Sequence, residues 1–298
     1  MNKIKLIKNI PGISNKYSQK HNFAIHILCS HNSLESCILS LLSFYALSEN
    51  VAEVVIHEDG TFTKKDKSII KKLFPWIKHI SLAEADKKLK ENRFSKETIK
   101  LRHRHKLLIK AIDFHYLEPK NRILIIDTDI FFLSNPKELW KEIEQGSEFI
   151  FNQDPEPAYG SSKELLEKVL AEKININYYP CVNTGLIVEP SRLLREEKET
   201  IENYCQEFEN FSYQRKHCIE QGYIACLLKY KNVPEFPLQG RYDIVGHKNK
   251  QGIEKILSYD LIDNPENIQT IHLCGWDKLG QGFLAVKEKI FARINNIL

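Results

Sequence analysis

The stretch Ile123–Leu133, ILIIDTDIFFL, sets two carboxylates, Asp127 and Asp129, between four apolar residues on each side. A buried strand has no use for two ionised acids, which are costly to desolvate without partners. The run before them is too short and too rich in β-branched residues for a helix, and it predicts a fully buried strand. In a parallel α/β sheet, ligands collect at the carboxyl ends of strands. Asp127 falls at such an end, and Asp129 two residues on projects in nearly the same direction. The pair forms a hard oxygen site, suited to Mn²⁺ or Mg²⁺ with coordination positions left for water and a diphosphate. Turn acids or helix caps are the competing reading, because Ser134-Asn135-Pro136 can open a helix.

Three further stretches carry matching chemistry. In VNTGLIV, residues 182–188, a polar Asn-Thr-Gly turn feeds an apolar strand. In HCIEQGYIACLL, residues 217–228, Glu220 and Gln221 open a helix that is apolar at 224, 227 and 228. In IHLCGWDKLG, residues 271–280, His272, Gly275 and Lys278 fall three apart. An imidazole can ligate a divalent ion, a glycine lets backbone approach a phosphate, and a lysine can neutralise it.

The elements that must position these groups alternate along the first half of the chain. A strand is expected over 23–29, then a helix with apolar residues at 34, 38, 41, 42 and 45. EVVIHEDG follows as a strand, then a helix near 64–74, a short strand in WIKHIS, a helix near 95–117, and the strand that ends at the acids. This order predicts an α/β fold with a mostly parallel sheet and right-handed crossovers. Beyond residue 150 the pattern loosens. NQDPEPAYGSS and VPEFPLQGRYDIVGHKNKQG read as loops, 191–209 and 217–230 as helices, and the tail from 284 as a helix. No repeat or linker divides the chain, so a single domain is expected over 1–298. Residues of about 22–150 would form a nucleotide-binding half, 151–283 a substrate-shaping half, and 284–298 a closing helix. Ser30 and Asp59, at the first two strand ends, would meet the nucleoside; Asp59-Gly60 is also a good turn pair.

Taken in order, the strand with Asp-Thr-Asp, the Asn-Thr-Gly strand, the acid-Gln helix start and the His-x-x-Gly-x-x-Lys motif resemble retaining GT-A glycosyltransferases. The likeness is to the family of glycogenin and the bacterial lipopolysaccharide galactosyltransferases, and it spans roughly residues 23–280. It implies the GT-A, nucleotide-diphospho-sugar transferase fold, with a Rossmann-like central sheet flanked by helices. It also implies that Asp127, Asp129 and His272 hold manganese (or magnesium) against the diphosphate of a nucleotide sugar, with Gly275 and Lys278 on the phosphates. By the same resemblance Lys106 matches a lysine on the helix before the acids. Asn183 stands beside the donor sugar, and Thr128 joins the donor contacts. Gln221 lies against the reacting carbon, next to Glu220 where the family has Asp. Asp154 falls near an acidic sugar contact of the family, whereas Leu279-Gly280 replaces its usual Pro-Trp. The implied reaction transfers a hexose from a UDP-sugar to a hydroxyl of a carbohydrate, lipid-linked or protein acceptor, with retention of configuration.

Composition narrows the partners. The net charge of +4, from 43 basic and 39 acidic residues, is too slight for a nucleic-acid binder, and the lysine clusters at 64–72 and 87–90 read as solvated helix faces. No apolar run has the length of a signal peptide or transmembrane span. Seven cysteines without a Cys-x-x-Cys pair suit reduced thiols in a cytoplasmic setting. Histidines 31, 57, 103, 105 and 115 read as core or surface residues. Two other functions suit the same sheet. A nucleotidyltransferase would need a glycine- and lysine-rich loop where this chain has CSHNSLES. A non-catalytic sugar-binding protein would need only the fold.

Overall fold

The apolar run before the acids serves two hydrophobic layers at once: Ile123 and Ile125 pack on one face of a sheet, Leu124 and Ile126 on the other. Strand side chains alternate faces, so a strand covered on both sides must be apolar at every position. The computed structural model describes residues 23–48, 52–117, 120–154, 163–171, 181–208, 219–238, 242–244, 268–273 and 287–294.

Along the chain, β1 (Phe23–Cys29) leads through a one-turn helix (His31–Ser33) to α1 (Leu34–Leu47) and β2 (Glu53–Glu58). Then come α2 (Lys64–Leu73), β3 (Lys78–Ile80), α3 (Leu82–Glu91), α4 (Lys96–Arg104), α5 (Leu108–Ala111) and α6 (Asp113–Tyr116). Beyond these lie β4 (Arg122–Ile126), β5 (Ile130–Phe132), α7 (Lys137–Gln145), β6 (Phe149–Gln153), α8 (Lys163–Leu170) and β7 (Val182–Glu189). The last described elements are α9 (Ser191–Glu196), α10 (Lys198–Phe208), α11 (Ile219–Tyr230), β8 (Glu235–Leu238), β9 (Tyr242–Ile244), β10 (Thr270–His272) and a helix α12 over 287–294.

The main sheet has the order β3-β2-β1-β4-β7-β6-β8. Only β7 runs against the others, pairing antiparallel with β4 and β6, so the expected mostly parallel α/β sheet is what forms. One core layer joins this sheet to α1, α7 and α12, and the other joins it to α3–α6 and α8–α11. A second sheet, β5-β10-β9, sits beyond the carboxyl end of β4.

Four expectations are corrected. The helix near 95–117 is broken into α4, α5 and α6. Buried Arg102 of α4 forms an ion pair with Asp113 of α6 and also reaches Asp86 at 2.8 Å. A straight helix would separate residues eleven apart by about 16 Å, so the ion pair requires the bend. Asn183-Thr184-Gly185 is not a turn but lies inside β7, opposite a register shift between Phe151 and Asn152. The stretch VPEFPLQGRYDI, expected as loop, contains β8 and β9. Pro237 argues against a strand on sequence alone, and it is tolerated because β8 is the sheet edge. NQDPEPAYGSS starts with the last two residues of β6, and β6, α3 and α8 have no counterpart in the sequence reading.

The histidine expectations hold where the residues are described. His31 pairs with Asp66 and His103 with Asp86, while His57 and His115 are core residues. The described cysteines 29, 37, 181, 205 and 226 form no disulfide. Among the described residues no helix is long and apolar enough to cross a membrane.

His26 Nδ1 and His57 Nε2 face each other at 2.9 Å between β1 and β2, under Phe114. Burial, then the positive neighbours His115 and Lys78, hold His26 well below its ordinary value; burial, then His26 and Arg102, do the same for His57. The unfolded chain therefore takes up protons below about pH 6.5 that the folded chain refuses, and stability falls as pH drops through that value. Each such histidine contributes a slope of up to about 1.4 kcal/mol per pH unit. Urea midpoints measured from pH 7.5 to 5 are expected to fall, and more shallowly in the double variant H26L/H57M.

Candidate active site

β4 ends at Ile126, and one further ladder bond, from Asp127 N to Gly185 O at 2.7 Å, fixes the first acid against β7. The chain then turns, Ile130 N bonding to Asp127 O at 3.1 Å, and enters β5. The two acids thus converge through a turn and not, as the sequence suggested, through the side-chain repeat of an extended strand. β5 pairs antiparallel with β10 so that His272 stands opposite Ile130, and Leu273 N donates to Asp129 O at 3.0 Å. This small sheet brings the imidazole to the acids. His272 Nε2 lies 3.5 Å from Asp129 Oδ1 and 4.0 Å from Asp127 Oδ2, and one ligand atom from each residue falls within 4.8 Å of the others.

These separations are long for hydrogen bonds. They suit a shared cation, since two donors each about 2.1 Å from an ion lie roughly 3–4 Å apart at common coordination angles. The residues fit a divalent metal.

Gly185 makes room for the ring. A Cβ there would lie 2.4 Å from His272 Cε1 and 2.9 Å from its Nδ1. The glycine is needed for this close approach, not for a turn. His272 Nδ1 has no hydrogen-bond partner among the described residues, so the ring is oriented by packing against β7.

Lys110, four residues beyond the expected Lys106, is the cation built into the site. It is 3% exposed, with Nζ 2.7 Å from Asp127 Oδ1 and 3.4 Å from Thr184 O. Burial alone would lower its pKa, but Asp127 and Glu220 overcome that and hold it above the ordinary lysine value. Its sequence signal is a lone lysine inside the apolar run Leu107–Ile112. Lys106 stands in the break between α4 and α5, off any helix. Burial lowers its pKa and Asp59 opposes that shift.

A cavity of about 320 Å³ opens beside the acids, lined among others by Ser30, Asp59, Lys106, Lys110, Asp127 and Thr128. Ser30 caps the short helix, its hydroxyl 2.9 Å from that of Ser33. Asp59 Oδ1 accepts from the Thr61 backbone and hydroxyl at 3.0 and 2.6 Å. A larger cavity, about 630 Å³, lies at the other end of β4. Among its lining residues Arg192 pairs with Glu196 and Arg122 donates to Ser147 O.

On the far side of His272, Asp154 Oδ1 accepts from Asn183 Nδ2 and Oδ2 from Gln221 Nε2, both at 2.9 Å. Gln221 Oε1 accepts from Thr184 N at 3.3 Å, and Asn183 Oδ1 from Gly185 N at 2.8 Å. Burial pushes the Asp154 carboxyl up, while the two amides and His272 resist. Glu220 is turned inward, Oε1 accepting from Thr184 Oγ1 at 3.2 Å. Burial raises its pKa, opposed by Lys110. Gly275 and Lys278 lie outside the described residues.

By sequence, the chain matches no protein-family model and no curated protein. Its fold is that of GT-A glycosyltransferases. Mouse xyloside xylosyltransferase 1 aligns with a TM-score of 0.56 at 13% identity, over 86% of this chain and 98% of that one. The galactosyltransferase LgtC, in complex with donor and acceptor sugar analogues, gives 0.51 at 13% identity, over 90% and 95%. The WbbM bifunctional glycosyltransferase gives 0.54 at 12% identity over 93% of this chain and 50% of that chain.

Replacing Gly185 by Ala should displace His272. The expected result is a loss of about 1–3 kcal/mol of stability from overpacking and a smaller rise in melting temperature on adding Mn²⁺, both read by thermal denaturation.

Proposed function

We propose that the protein is a metal-dependent glycosyltransferase that moves a hexose from a nucleotide diphosphate sugar, a UDP-sugar, to an acceptor hydroxyl with retention of configuration. The observation that carries this reading is the meeting of Asp127, Asp129 and His272, drawn from two sheets, at the mouth of a cavity on the carboxyl end of the main sheet. These three residues would hold the cation. When bound, a divalent ion supplies Lewis-acid stabilisation of charge on the leaving diphosphate.

The chain's own groups do the rest. Lys110 holds Asp127 and keeps an ammonium at the diphosphate end of the cavity. Ser30, Asp59, Lys106 and Thr128 line the space for the nucleoside and phosphates, and Gly275 and Lys278 are proposed to add phosphate contacts. Asn183, Gln221 and Asp154 form one locked polar surface beside His272, where the donor sugar would lie. Each Asp154 oxygen is taken by an amide, and Glu220 is turned inward. This arrangement supports attack by the acceptor on the face the diphosphate leaves, with Gln221 against the reacting carbon.

A panel of nucleotide sugars, assayed for slow hydrolysis with Mn²⁺, tests the reading. Turnover is expected with at least one UDP-hexose, abolished by a chelator, and lowered at least about a hundredfold by Asp127→Ala or Asp129→Ala. Full activity in either variant refutes it. Formation of a nucleoside triphosphate and a sugar 1-phosphate when pyrophosphate is added would point to a nucleotidyltransferase instead.

A further inference from the structure

Glu220 stands where the resemblance expects an acid on the sugar, yet its carboxyl is buried in the protein at 2% exposure. Its Oε1 is bonded to the Thr184 hydroxyl, and Oε2 has no hydrogen-bond partner among the described residues. The strongest opposite charge acting on it is Lys110, and Lys110 in turn feels Asp127 and then Glu220 most strongly among its anionic neighbours. Thr184 is therefore held at both ends, its hydroxyl by Glu220 and its carbonyl by Lys110. The next carbonyl along β7, that of Gly185, receives the Asp127 amide. These contacts form a continuous path from Glu220 to a metal ligand.

We propose that Glu220 is a positioning residue: with Thr184 it fixes Lys110 against Asp127, and so sets the orientation of the Asp127–Asp129–His272 group without touching the sugar. The inference rests on the metal-site reading above. Its physical content is a run of contacts: the Thr184 hydroxyl donates to Glu220 at 3.2 Å, Lys110 donates to the Thr184 carbonyl at 3.4 Å, and Lys110 Nζ lies 2.7 Å from Asp127 Oδ1. A Glu220 carboxylate also opposes the positive field of the buried ammonium, which otherwise disfavours an incoming dication. The longer arm of Glu, compared with the Asp of the resemblance, reaches past the cavity surface to Thr184.

Isothermal titration with Mn²⁺ alone, then with UDP at saturating Mn²⁺, tests the inference without any sugar. Glu220→Gln is expected to weaken Mn²⁺ binding about tenfold, the lower end of what outer-shell partners contribute, and to weaken UDP in step. Thr184→Val keeps the charge and removes the bond, and should shift Mn²⁺ affinity in the same direction. It carries the test alone if Glu220→Gln fails to fold by circular dichroism. Unchanged Mn²⁺ and UDP affinity in the folded variants overturns the proposal and leaves the metal site standing. If the wild type takes up no Mn²⁺, or Asp129→Asn binds it equally well, the metal-site reading falls and this inference with it.

Discussion

Asp127 and Asp129 repel each other, and the surrounding backbone is arranged to hold them together regardless. One is tied to β7 through its amide and the other to β10 through its carbonyl, with a single turn between. At separations of about 4 Å even a well-solvated like-charge pair costs on the order of 1 kcal/mol, and more as water is excluded. The buried ammonium of Lys110 offsets that cost from beneath, while the imidazole of His272 closes the group from the opposite sheet. Every other feature of the site is arranged around this balance. Gly185 is small so that the imidazole fits, Thr184 supplies a carbonyl to the ammonium, and Gln221 leans on the Thr184 amide.

The break between α4 and α5 belongs to the same constraint. Arg102 and Asp113 bury their charges together, and truncating one partner of such a pair typically costs several kcal/mol because the other is left stranded. The bend they impose turns the chain so that Lys106 and Lys110 both reach the cavity. A single unbroken helix would carry the two lysines at neighbouring positions on one face, with no means of sending one under the acids and the other to the rim.

What was legible in the sequence was local and periodic. The apolar run before Asp127, the helix face at 34–45 and the short strands of the first half declare themselves because strands buried on both faces admit little else. The acid pair and His272 were legible as residue types, and their meeting followed from an ordered resemblance, not from spacing. Turn-like residues used for other reasons misled. Asn183 and Gly185 look like a turn, but one is a hydrogen-bond bridge and the other a space left for a ring. Lys106 and Lys110 are four apart in one stretch, and the apolar run around Lys110 marks it for burial without saying which lysine meets the acids. That choice is made by Asp127 and Glu220, which come from distant segments. Pro237 hid β8 because only tertiary context reveals that its strand is an edge.

The three-residue strand β10 has a consequence for how the molecule is made. At ordinary synthesis rates the acid turn leaves the ribosome about ten to thirty seconds before the histidine that completes the group. During that interval the nascent chain carries the two neighbouring carboxylates without the imidazole of His272. Lys110, encoded upstream of both, has already emerged, and its ammonium is the counter-ion at hand. The group of Asp127, Asp129 and His272 can therefore close only once β10 has been made and paired with β5, well after the acids and Lys110.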